Sequence, residues 1–199
     1  MASADGGEPV NLVPLGRMVP AGYMAKVVSA RPEWLKAGAV RDVYSVANCM
    51  SHDFCDYIPR WKHNGYWLFD SPDVIREVAK AAAGDLSNTA LFYYEVYEQQ
   101  FDERTNKWLA FEPDSSFATC VVVPDGKHLM GYDVVTFLAQ TNAEHSPLSC
   151  NGLAESISVN QHCLLDYFDD AKRLIEGEAF EKSEPGPYRI FAVYLCDAA

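Results

Sequence analysis

No stretch of the chain approaches the roughly 18 consecutive apolar residues of a membrane-spanning helix, so no transmembrane segment is expected. Positive charge is scarce as well: 16 Lys and Arg stand against 28 Asp and Glu, a formal net charge of -12. A surface of that sign repels phosphate backbones and anionic lipids, which argues against nucleic acid and membrane partners. The N-terminal stretch MASADGGEPVNLVPLGRMVPAGYMAK has no basic segment followed by a continuous apolar one, so a secretory signal is not expected. Its Gly and Pro content predicts a loosely ordered arm over 1–21, followed by one domain over 22–199. The six cysteines, at 49, 55, 120, 150, 163 and 196, lack the density of a disulfide scaffold. Six reduced thiols, a cytoplasmic location and no structural disulfide are therefore expected.

What is present is the composition of a globular protein, 49% hydrophobic and 22% charged in 199 residues. GYMAKVVSA (22–30) and VRDVYSVAN (40–48) have strand character. YWLF leads to Asp70 and Ser71 as N-cap candidates, with Pro72 suited to the first turn. Val74, Ile75, Val78 and Ala79 then recur at helical spacing, predicting an amphipathic helix that ends near Gly84. ALFYYEVYEQQF (90–101) and KWLAFEP (107–113) flank DERTN as a hairpin, and ATCVVVPDG and GYDVVTFLA (131–139) add strands. FDDAKRLIEG predicts a second helix stopped by Gly177, and PYRIFAVYLC (187–196) a last strand.

Sliding 64–80 onto 160–176 without a gap aligns Asn64 with Asn160, Leu68 with Leu164, Asp70 with Asp166 and Asp73 with Asp169. Asp42-Val43 and Asp133-Val134 then correspond before the loops, and Val96-Tyr97 and Val193-Tyr194 after the helices. The order predicts an internal duplication with units 40–101 and 131–197, joined by a hairpin region over 102–130. Two strand, loop, helix, strand units in series resemble the ferredoxin-like split βαβ plan. The expected fold class is thus α+β: a mainly antiparallel sheet with helices packed on one face, two ferredoxin-like units, an inserted hairpin and an N-terminal strand.

The chemically distinctive residues gather in the two long loops ahead of the helices, where function commonly sits. In SPLSCNGLAESI, Ser146 or Ser149 could cap a short helix with Cys150 in its first turn, where free amides favour a thiolate. His145 or His162 would be the base and Glu144 or Asn160 would orient it, the set a cysteine nucleophile needs. The first loop offers Tyr57, Trp61, Lys62, His63 and Tyr66, flat apolar faces with polar tips suited to an aromatic or anionic ligand. Cys49, His52, Cys55 and His63 are four zinc-type donors, but their spacing departs from that of a zinc knuckle, so no metal is expected. Since equivalent loops of such a sheet leave from opposite ends, two separate sites are expected unless a homodimer joins them.

These features predict a binding protein for a small molecule or a protein partner, needing no cofactor. One alternative is a Cys150-dependent hydrolase or transferase. The other is an acidic inhibitor of a basic protein.

Overall fold

The computed structural model describes residues 16–54, 62–136 and 145–197. Long apolar and aromatic stretches form the strands β1 (Met18–Val27), β5 (Ala90–Asp102), β7 (Lys127–Thr136) and β8 (Tyr188–Cys196). Two-residue strands β2 (Ser29–Ala30), β3 (Asp42–Val43) and β4 (His52–Asp53) lie in the first loop, and β6 (Lys107–Ala110) closes a hairpin onto β5. The main sheet runs β4-β1-β5-β8-β7, and every neighbouring pair is antiparallel. Helices α1 (Pro72–Ala82) and α2 (Phe168–Glu176) complete an α+β fold.

Several expectations are corrected. The segment 40–48 contributes only Asp42–Val43, which pairs with Ser29–Ala30 away from the main sheet. ATCVVVPDG forms no strand; it lies across the molecule, where the Val122 carbonyl accepts a 2.5 Å hydrogen bond from the Tyr23 hydroxyl. β1 starts at Met18, inside the segment expected to be an arm. The split crossover is not formed either. A split βαβ unit needs parallel strands with another between them, whereas β7 and β8 are direct antiparallel neighbours. β1 and β5 are joined in the same way.

A local geometry recurs on either side of the sheet. The Asn64 side-chain amide donates to the Ala21 carbonyl (2.8 Å) and to Asp70 (2.9 Å), while its Oδ1 accepts from the Tyr66 and Leu68 amides. Asn160 does the same with Met130 (2.8 Å), Asp166 (3.2 Å) and the His162 and Leu164 amides. Each turn contains a residue in the left-handed region, Trp67 at φ 61° and Cys163 at φ 62°. Each then bridges the sheet, Phe69 to Tyr23 and Leu165 to Tyr132. At the point of closest approach stand Gly22 (φ 137°) and Gly131 (φ 143°), where a Cβ would come within 2.7 Å of the Phe69 or Leu165 carbonyl oxygen. Glycine is required there by both conformation and space.

The helices follow from the pattern read in the sequence. Ser71 caps α1 by accepting from the Val74 amide, Pro72 opens it, and Ile75 and Ala79 are its buried face. In α2 the buried residues are Ala171 and Ile175. The first pair belongs to a core cluster that also holds Phe69, Phe92 and Tyr94, the second to one that holds Val134, Leu165 and Ile190. Burying each large apolar side chain contributes about 1.5–3 kcal/mol, so these faces fix the helices on the sheet.

Candidate functional site

Two strands carry a lone charge in an apolar run, Lys26 in β1 and Asp133 in β7, and both side chains are buried. Buried charges persist only when paired or fully hydrogen-bonded. The Lys26 ammonium spends its three donors on the carbonyls of Ser45 (2.9 Å), Val46 (2.8 Å) and Ala47 (2.9 Å). The Asp133 carboxylate accepts from the Val46 amide (2.9 Å) and from the hydroxyls of Ser45 (3.3 Å) and Ser146 (2.6 Å). Burial pushes the Asp133 carboxyl up to about 6 against the opposing pull of its hydrogen bonds and Lys26. Burial likewise pushes Lys26 down to about 8, opposed by Asp53 and Asp133. Both are charged at neutral pH.

The consequence is positional. Asp133 grips the first long loop at Val46 and the second at Ser146, so it draws together segments that leave opposite ends of the sheet. Cys49 lies just after the first grip point and Cys150 just after the second. Their sulfurs are joined in a disulfide with Cα atoms 6.1 Å apart, across a sequence separation of 101. His145 stands beside them: one ligand atom each from Cys49, His145 and Cys150 all lie within 4.8 Å of one another, and all three residues are half-buried. The Ser146 amide donates to Cys150 Sγ at 3.5 Å, and the Ser149 hydroxyl is 3.9 Å from the same sulfur. Two buried oxygens lack a partner among the described residues, Asp53 Oδ1 and Thr136 Oγ1. The Thr136 amide donates to the His145 carbonyl (2.9 Å), so one of these orphans borders the cluster.

This overturns the expectations of six free thiols and of two separate sites. The loops do leave opposite ends, but both fold back over the sheet because Lys26 and Asp133 hold them there. Among the described residues the free cysteines are Cys120, Cys163 and Cys196. Cys150 is not in the first turn of a helix: it sits in a run of turns, and the 3-10 helix Leu153–Glu155 begins after Gly152. Helix formation fails there because Gly152 takes the left-handed conformation, φ 71°.

The remaining expected residues fall elsewhere or outside the description. His162 stacks on Tyr44 and pairs through Nδ1 with Asp42, and it is not among the clustered donors. Asn160 organises its turn, with both ends of its amide engaged. His63 is buried, with its ring against Trp67 and Phe117. Tyr66 packs edge-on to Phe111, and exposed Lys62 pairs with Glu77. Cys55, Tyr57, Trp61 and Glu144 lie outside the described residues. Among the described residues, neither His52 nor His63 joins Cys49 in a donor cluster.

Reading by sequence alone missed Lys26 and Asp133, although a signal existed. Each is the single charge within an apolar run of its strand, GYMAKVV and GYDVV, and the two signs are opposite. A Gly-Tyr dipeptide occurs in both β1 and β7, at Gly22-Tyr23 and Gly131-Tyr132. Compared with protein-family models, curated proteins and solved structures, the chain matches none.

Proposed function

We propose that the chain is a binding protein whose ligand is taken up at the junction of its two long loops. The observation that carries this reading is the convergence of Cys49, His145 and Cys150 within 4.8 Å, on loops held in place by buried charges. Preorganised polar donors on a rigid support are what a specific binding site requires. The net charge of -12 supports a small-molecule, cationic or protein partner over nucleic acid. A cytoplasmic setting belongs to the same proposal; there reducing thiols would hold the Cys49–Cys150 pair open. Among the described residues no helix is long and apolar enough to cross a membrane.

The repeated Asn64 and Asn160 turns support two copies of one unit, β1-α1-β5 and β7-α2-β8. Gly22 pairs with Tyr94 and Gly131 with Val193, and Tyr94 pairs with Val193. Directly opposed residues share a sheet face. A twofold axis between Tyr94 and Val193 would relate the two units.

The test is an amide NMR titration of the isotope-labelled, reduced chain with Zn²⁺, with inorganic phosphate and with a set of small aromatic acids. Shifts for at least one probe are expected at 45–51 and 145–151. Shifts confined to the 610 Å³ groove lined by Gln100, Phe111, Pro187 and Arg189 would move the site and reject the loops.

A second reading, a cysteine-dependent hydrolase or transferase, is favoured by His145 beside Cys150. It requires the disulfide to be reduced first. Iodoacetamide should then label Cys150 ahead of buried Cys163, and His145→Ala should slow the labelling. Labelling of Cys150 at the rate of an ordinary thiol, unchanged by that substitution, ends this reading.

A further inference from the structure

We infer that the dithiol form binds one soft divalent metal ion of the zinc class through Cys49, Cys150 and His145, and that closing the Cys49–Cys150 disulfide expels it. This rests on the loop junction being a binding site, and it names the ligand.

Two thiolates and an imidazole form the donor set that borderline-soft ions select over calcium or magnesium. With Zn–S bonds of about 2.3 Å, tetrahedral donors stand about 3.8 Å apart. The three ligand atoms lie within 4.8 Å of one another with the two sulfurs bonded, so the sulfurs must separate to receive an ion. The backbone need not move between the two states. A Cα separation of 6.1 Å lies within the range of about 4.4–6.8 Å that a disulfide accepts, and opening the bond lets the sulfurs rotate apart to receive an ion. The frame is fixed independently of the sulfurs, since Asp133 holds Val46 on one side and Ser146 on the other. The Ser146 amide, donating to Cys150 Sγ, is the kind of outer hydrogen bond that steadies a ligating thiolate. The three residues are half-buried, which leaves a path of entry. Three protein donors leave the fourth tetrahedral position open among the described residues, the arrangement in which a zinc ion also takes water or a small ligand.

The exchange balances. A small dithiol gives two electrons and two protons to the Cys49–Cys150 bond, yielding two thiols and its own cyclic disulfide. The thiols release two protons as two metal–sulfur bonds form, and neutral His145 supplies a nitrogen lone pair. In reverse, a small-molecule disulfide takes two electrons from the bound thiolates, becomes two thiols with protons from water, and the ion leaves as the protein disulfide closes.

The experiment uses the full chain, reduced with dithiothreitol, desalted under nitrogen and titrated with Co²⁺. One equivalent should bind with a thiolate-to-cobalt charge-transfer band and the intense visible bands of a tetrahedral site, and Zn²⁺ should displace it. Loss of an outer-shell partner alone typically costs about 10–100-fold in affinity, so Cys49→Ser, Cys150→Ser and His145→Ala should each cost at least that. Cys49→His keeps a ligand and should retain the tetrahedral visible bands with a weaker charge-transfer band, which separates ligation from misfolding. Cys120→Ser should change nothing, and oxidised protein should bind only after reduction. The inference is overturned if reduced wild type takes up no Co²⁺, if uptake lacks the charge-transfer band, if the Cys49→Ser/Cys150→Ser double variant still shows it, or if oxidised protein binds equally well. Should the metal fail while a small molecule still shifts 45–51 and 145–151, the binding reading stands and only the metal is lost; silence from both ends both.

Discussion

Asn64 and Asn160 make the same four hydrogen bonds, yet they are not equally buried: Asn64 is enclosed and Asn160 is half-exposed. Replacing either with Ala removes the partner of one carbonyl, one carboxylate and two amides, and a buried group left unpaired costs about 1–3 kcal/mol. Asn64→Ala should therefore lose at least about 2 kcal/mol in urea unfolding, and Asn160→Ala less, because water replaces its lost partners. Equal losses would mean that burial does not set the cost. Asp133 gives a pH signature. Its carboxyl titrates near 6 in the fold, against about 3.9 in the unfolded chain, so between those values the folded state holds more protons. Stability from this group is fully present below about 3.9 and is lost as pH rises through about 6. Asp133→Asn removes that slope. The unfolding free energy of the variant relative to wild type should thus increase between pH 4 and pH 6.5, and a flat difference would show that Asp133 is not the buried titrating group. Lys26 has the opposite slope, since its value is lowered to about 8 and its contribution to stability grows as pH rises from there towards about 10.4.

The two helices differ at their N-termini. Ser71 supplies α1 with a side-chain cap, whereas α2 starts at Tyr167, which makes no capping hydrogen bond and is 69% exposed. Tyr167 already has the extended backbone of a cap residue, φ -127° and ψ 141°. Tyr167→Ser should accordingly stabilise the protein by about 0.5–1 kcal/mol, and Ser71→Ala should destabilise it by about 1 kcal/mol, both read from thermal unfolding. Loss of stability in Tyr167→Ser would mean that the Tyr167 ring contributes more by contact than a cap does. These elements were legible in the sequence because their signals are local: the spacing of Ile75 and Ala79, Pro72 at the start of α1, and Gly177 after α2. The segment 40–48 departs from its expected strand for the opposite reason. Its β-branched and aromatic residues suit any half-buried extended segment, and only Lys26, holding the carbonyls of Ser45 to Ala47, shows that this backbone is a clamped loop.

Across the whole molecule, the Cys49–Cys150 bond ties loops of both halves together. Denatured, unreduced protein should show Cys49 and Cys150 missing from a thiol titration while Cys120, Cys163 and Cys196 react. Closing a loop of this length stabilises by up to about 4–5 kcal/mol in the chain-entropy account, so the oxidised protein should unfold at clearly higher urea than the reduced one. Equal midpoints would show that the loops are held by Lys26 and Asp133 alone. The sequence by itself determined the class of fold, the two helices and the paired Asn turns, because each depends on residues a few positions apart. It also singled out the two long loops, which contain His145 and Cys150. Which loop residues meet was decided only in three dimensions. Cys49 and Cys150 are brought together by a buried lysine and a buried aspartate from strands on opposite sides of the sheet, and no local pattern encodes a contact between loops that depends on how those strands are paired.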